Sequence, residues 1–198
     1  MTTFIAPDRW ETDRFTLRSW LPGDGPLLYE AVASSRDHLA PFMPWVDGHT
    51  SAEASEALLR GMRARWLLGE DFGIPVFSPD GKRILGATGF HVRQGPIGSG
   101  NIEAGMWIRA DEAGKGLGSA LLAAVVEWAW AEWPWRRIVW KCDAHNVASR
   151  RTAESAGFAL EGILVRDGRT PQGDLRDTCI YALLHEERAS GLHIGSAQ

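Results

Sequence analysis

Residues 110–121 read ADEAGKGLGSAL. Gly114, Gly116 and Gly118 alternate here, directly ahead of Leu117, Leu121, Ala124, Val125 and Trp128, whose spacing predicts one face of a helix that ends before Pro134. An apolar stretch, residues 101–109, predicts a strand feeding the glycines. Glycine lets successive backbone N–H groups turn into one concavity, and the following helix start adds a positive dipole end. The stretch is either a plain loop or a cradle for a phosphate. Two nucleotide patterns fail on spacing. A Walker loop needs Ser or Thr where Gly116 follows Lys115, and in the dinucleotide fingerprint the third glycine comes one position later than Gly118.

Working outward, residues 15–20 alternate like a half-buried strand, residues 27–35 read as a helix, and the two prolines of residues 40–45 predict an irregular or broken segment. Ser51 caps a predicted helix reaching Leu68. Residues 72–77 and 83–92 flank a Pro79-Asp80-Gly81 turn and predict an antiparallel hairpin. Beyond the glycines come a strand at 137–142, a helix at 148–156 stopped by Gly157, and strands around 162–166 and 178–184. No Pro/Gly/Ser-rich seam divides this order, so one domain is expected over residues 1–185, with residues 186–198 as a flexible tail.

The chain has 198 residues, 44% hydrophobic and 23% charged, the balance of an ordinary globular protein, with no apolar run of the ~18 residues a membrane helix needs. The first residues lack the basic, apolar, small-residue order of a signal peptide, which predicts a cytoplasmic protein. A formal net charge of −4 supplies no basic field for nucleic acid. Cys142 and Cys179, each inside an apolar run, read as reduced thiols, and His38, His49, His91 and His145 have no metal-ligand spacing. Trp128, Trp130, Trp133, Trp135 and Trp140 fit core packing better than a stacking platform, although exposed tryptophans would suit a homodimer contact.

A second motif gives the glycines their context. Residues 146–158 read NVASRRTAESAGF, an Asn-capped helix closed by Gly. With this segment the chain resembles the GCN5-related N-acetyltransferase (GNAT) superfamily. The superfamily's pyrophosphate loop, [Gln/Arg]-Gly-x-Gly-x-[Gly/Ala], falls on residues 113–118, and a later motif of one branch matches Asn146, Ser149, Glu154, Gly157 and Phe158. The words ETDRFTLRSW (11–20) and SSRDHLAPFMPW (34–45) are similar to the branch containing the ribosomal-protein serine/alanine N-terminal acetyltransferases, and the resemblance spans roughly residues 10–185. It departs at Ala113, where Gln or Arg is usual, and at Ala153, where many members carry a tyrosine acid.

The resemblance implies an α+β fold with a mixed, mostly antiparallel, twisted seven-stranded sheet flanked by helices and a splayed central strand pair. It also implies acetyl-CoA as acyl donor, its pantetheine pairing with the backbone of Met106, Trp107 and Ile108 and its phosphates on Gly114, Lys115, Gly116, Leu117, Gly118 and Ser119, helped by Asn146 and Arg151. Glu103 is the candidate base, an acid inside an apolar strand, although a solvated carboxylate near the strand's start would read the same way. Ser149 is either the proton donor to the leaving thiolate or a capping side chain. Phe42 and Trp45, with Met43, offer an apolar acceptor wall or a small local core, and Asp37 could meet an ammonium. The acceptor implied is a protein or peptide α-amino group, with a small amine such as an antibiotic or polyamine, a succinyl donor, or a catalytically silent CoA-binding sensor as alternatives.

Overall fold

The structure, a computed structural model, describes residues 4–185; the predicted tail, residues 186–198, lies outside them. The strands are β1 (Arg9–Glu11), β2 (Thr16–Arg18), β3 (Asp71–Phe77), β4 (Ile84–His91), β5 (Asn101–Ile108), β6 (Arg137–Asp143), β7 (Ala159–Arg169) and β8 (Leu175–Leu184). They form one sheet in the order β1-β2-β3-β4-β5-β6-β8-β7, antiparallel throughout except for the parallel pair β5–β6. The helices are α1 (Gly25–Ala33), α2 (Arg36–Leu39), α3 (Ala52–Leu68), α4 (Leu117–Glu132) and α5 (Val147–Ser155).

The sheet has eight strands where seven were expected. The additional one, β1, is only three residues long and pairs Arg9 with Arg18, too short a stretch for alternation to register in sequence. The hairpin β3–β4 forms as its turn chemistry predicts. The two-proline segment resolves into a short 3-10 helix over Pro44–Gly48.

Alternation in the strands assigns each face its helices. Phe72, Ile74 and Val76 of β3 join Phe90, Ile102 and Ala104 in a core with Leu121, Val125 and Trp128 of α4. Trp20, Phe77, Ile84 and Ala87 instead pack with Leu28, Ala31 and Val32 of α1 and Leu59 of α3. Fully buried aliphatic and aromatic side chains of this kind contribute about 1.5–3 kcal/mol each, so both faces stabilise the sheet strongly.

Tryptophans anchor the first core: Trp133 meets Phe72 and Phe90 with ring centroids 4.9 Å apart, and Trp128 and Trp135 complete the cluster. Of the ten tryptophans only Trp45 is exposed, with Trp10, Trp107 and Trp130 half-buried. Cys142 and Cys179 stand opposite one another on β6 and β8, both as free thiols.

Candidate active site

The sheet splits at one place. β5 and β6 pair from Asn101↔Arg137 only as far as Ala104↔Trp140, after which β5 stays with β4 to Ile108 while β6 stays with β8 to Asp143. Residues 105–108 and 141–143 are therefore left facing a gap without a ladder between them. Backbone N–H and C=O groups along that gap are a template for an added extended chain. A cavity of about 630 Å³ opens here, lined by Met106 and Trp107 from β5 and by Lys141, Cys142 and Asp143 from β6. Ile108 is absent from this lining; its side chain is half-buried against the α4 core.

The glycine stretch follows β5. Gly114 and Gly116 have φ of +74° and +75°, the left-handed region that glycine enters freely, and a Cβ at either would meet no protein atom within 4 Å. Their conformation requires glycine, while the space above them is open. Helix α4 begins at Gly116 with no side-chain cap and no acidic residue in its first turn. Its leading amides and dipole are thus available to an anion. Gly118 is not held to glycine in the same way: a Cβ there would meet Thr152 Oγ1 of α5 at 3.6 Å, an ordinary contact distance.

Lys115 is exposed and 3.6 Å from Glu112, and the Ser155 hydroxyl lies 3.1 Å from that of Ser119. Arg151 projects from the exposed side of α5, whereas its neighbour Arg150 is bound to Tyr181 and to the Ala144 carbonyl.

At the cavity's polar end, Glu103 is 7% exposed, so it is not the solvated surface carboxylate its place in sequence allowed. Arg93 donates to Oε1 at 2.7 Å, Gln94 to Oε2 at 3.2 Å, and Lys141 Nζ stands 3.2 Å from Oε2. Burial pushes this carboxyl up, but the Arg93 hydrogen bond and the Lys141 charge outweigh it and hold it below its ordinary value. Asp71 and His91, absent from the sequence-derived candidates, also line the cavity, with His91 Nδ1 2.7 Å from Asp71 Oδ1. Burial raises the Asp71 carboxyl, and its hydrogen bond to His91 brings the net shift downward. The signal that could have found this pair is the hairpin's register, which sets Asp71 opposite His91.

Asn146 caps α5, its side chain accepting from the Ser149 amide at 3.0 Å, and both residues line the cavity. Trp140 Nε1 donates to Ser149 Oγ at 3.0 Å. Burial pushes the Cys142 thiol up to about 11, and the Ser149 hydroxyl pulls the other way.

At the opposite end Phe42, Met43 and Trp45 form part of the wall, with Trp45 and Trp107 ring centroids 5.8 Å apart. Asp37 is exposed on α2 and does not line the cavity. The loop connecting α2 to the 3-10 helix brings Phe42 inward while Asp37 stays one helical turn behind. Ala153 is fully buried, and Tyr181 is occupied by Arg150 and Glu154.

A family model described as an acetyltransferase (GNAT) domain matches residues 14–159. Among curated proteins, YdaF of Bacillus subtilis strain 168, whose name assigns it provisionally as a ribosomal N-acetyltransferase, is 26% identical over 178 residues, covering 88% of this chain and 93% of its own. Among solved structures, a ribosomal-protein-S5-alanine acetyltransferase from Vibrio fischeri superposes with a TM-score of 0.81 at 16% identity over 91% of this chain and 98% of its own. RimL, a ribosomal L7/L12 α-N-protein acetyltransferase solved in complex with coenzyme A, superposes with a TM-score of 0.79 at 23% identity, covering 87% and 95%.

Proposed function

The chain belongs to the GNAT acetyltransferase family, and from that premise we propose that it moves the acetyl group of acetyl-CoA onto the α-amino group of a protein or peptide N-terminus in the cytoplasm. The observation that carries the reading is the split between β5 and β6, which opens on a cavity with a carboxylate-rich end and is followed along the chain from β5 by an open, uncapped helix start. The residues present fit the cofactor: Gly114 and Gly116 leave the approach clear, and the first amides of α4 face it without competition. Bound there, acetyl-CoA supplies a thioester whose acetyl carbon is open to an amine.

The chain's own groups do the rest. Free backbone groups of residues 105–108 hold an extended pantetheine as an added strand would be held. Ser149 Oγ, fixed by Trp140, donates to the departing sulfur. Lys115 and Arg151 add positive charge at the loop's rim, where Ala113 contributes none. Phe42 and Trp45 line the side by which an acceptor enters, and the acceptor's ammonium faces the end of the cavity that holds Glu103 and Asp143. The ribosomal-protein acetyltransferases among the fold relatives support an N-terminal acceptor.

The test is a thiol-release assay with acetyl-CoA against serine- and alanine-initiated peptides and against polyamines and aminoglycosides, with calorimetric binding of acetyl-CoA alongside. Turnover on the peptides is expected. Turnover confined to small amines moves the acceptor class, and binding without any turnover returns the protein to a CoA sensor.

A further inference from the structure

We propose that His91, held by Asp71, is the general base that takes the proton from the incoming amine, an assignment that rests on the acetyltransferase reading of the same cavity. An α-ammonium group must lose a proton before its nitrogen can attack a thioester, and a positioned base near the reacting atoms makes that loss part of the reaction.

Three strands bring their ionisable groups into one row. Asp71 of β3 pairs in register with His91 of β4, and His91 pairs in register with Glu103 of β5. All three line the cavity. Glu103 has both carboxylate oxygens taken by Arg93, Gln94 and Lys141, a setting that stabilises the anion and weakens it as a proton acceptor. His91 is arranged the other way. Its Nδ1–H donates to Asp71 Oδ1 at 2.7 Å, which leaves the lone pair of the neutral ring on Nε2. Imidazole is also the side chain suited to exchanging protons near neutrality.

The floor beneath the ring is glycine on both strands. A Cβ on Gly89 would lie 3.4 Å from Nε2 and one on Gly105 would lie 3.5 Å from it. Those two glycines are cross-strand partners, so the ring and its Nε2 lie over a bare patch that reaches Gly105, the first residue of β5 past its last pairing with β6. That is where the gap meant for the thioester begins, so the free nitrogen stands beside its start.

The charged groups around the ring are accounted for element by element. Arg65 of α3 is 4.0 Å from Asp71, Arg93 follows β4 and is bound to Glu103, and Lys141 comes from β6. Asp143 of β6 is taken by His145, Arg176 of β8 lines the cavity, and His49 is hydrogen-bonded to Ser55. Asp71 is the carboxylate in direct contact with the imidazole, and it favours the imidazolium formed when the proton arrives.

Nε2 takes one proton from the ammonium, the amine nitrogen forms its bond to the acetyl carbon, the carbon–sulfur bond breaks, the sulfur leaves with a proton from Ser149, and the nitrogen's second proton passes to water as the amide forms. The bound imidazolium and the serine are restored by exchange with water. Asp71 is a positioning residue: it sets the tautomer and touches no substrate.

The experiment follows kcat/KM against pH for the full chain with acetyl-CoA and an alanine-initiated peptide, with acetyl-CoA affinity by calorimetry. His91→Gln is expected to lower kcat/KM about a hundredfold or more and to flatten the limb on which activity rises with pH, while acetyl-CoA affinity stays within twofold. Asp71→Asn is expected to lower kcat about tenfold while the peptide KM and acetyl-CoA affinity stay within about twofold, because the ring loses the acceptor that fixes its tautomer; a purely structural role would weaken binding along with kcat. A His91→Gln enzyme with normal activity and an unchanged profile, or loss of the limb in Glu103→Gln alone, overturns the assignment. Failure of the wild type to turn over any amine overturns the acetyltransferase reading itself and takes this base with it.

Discussion

Helices α4 and α5 pack against each other and both begin beside the gap between β5 and β6, yet their first turns are built oppositely. Helix α4 starts from Gly116 in the left-handed region, with no side chain accepting from its leading amides. Helix α5 starts from Asn146, whose side chain accepts from the Ser149 amide. A helix start costs stability unless its amides find acceptors, so the open one is set for an external anion, whereas the closed one spends the same donors on placing Ser149. One start binds and the other positions.

The sharpest way to break this contrast is Gly116→Val. A branched residue at φ +75° is strained by about 1–2 kcal/mol, and its side chain stands in the open space above the loop. Two or so charge-assisted hydrogen bonds lost to a phosphate amount to about 3 kcal/mol, so acetyl-CoA affinity should fall about a hundredfold or more by calorimetry. The protein should still fold, since no neighbouring protein atom is displaced. Undiminished affinity would show that the glycine loop is only a connection.

The contrast also marks how much the sequence disclosed. Both helix starts are local features, written in consecutive residues, and the glycines and Asn146 announce them without any tertiary information. That Glu103 and Ser149 line the cavity was legible in part for the same reason, Glu103 as an acid inside an apolar strand and Ser149 beside its Asn cap. His91 and Asp71 were not, because they meet only through the register of β3 and β4, and twenty residues of hairpin separate them along the chain. Asp37 failed in the opposite sense: it is near Phe42 in sequence, but α2 turns it outward. Neither does sequence show that Lys141, from β6, arrives beside Glu103; that follows from the one parallel pairing in the sheet.

On the positioning side, Ser149→Ala removes the hydroxyl held by Trp140 and leaves the cap intact, because the capping bond uses the Ser149 amide. A thiolate is a good leaving group, so the loss of its proton donor should lower kcat by about tenfold, with acetyl-CoA affinity unchanged. Asn146→Ala should do the reverse and touch stability first. Removing an Asn cap costs about 1 kcal/mol, or about 2–4 °C in Tm for a chain of this size. Turnover then falls only as far as Ser149 loses its orientation. Were Asn146→Ala instead to abolish acetyl-CoA binding, α5 would have to be counted with α4 as a binding start.

The smallest effect examines the hydroxyl's relation to sulfur directly. The Ser149 hydroxyl acts on the Cys142 thiol, which burial pushes up to about 11 against an ordinary 9.0 and so keeps protonated at neutral pH. Iodoacetamide labelling of Cys142 at pH 8 should therefore run about a hundredfold slower than for an unperturbed thiol, since only the thiolate reacts. The Ser149 hydroxyl favours the thiolate, so Ser149→Ala should raise the thiol further and slow labelling by a few more fold, even though a smaller side chain admits the reagent more easily. The two influences oppose each other, which makes the direction informative: slower labelling in Ser149→Ala shows hydrogen-bond donation to sulfur outweighing access. Faster labelling would mean that Ser149 merely shields Cys142, and its role as donor to a departing thiolate would lose its precedent within the protein.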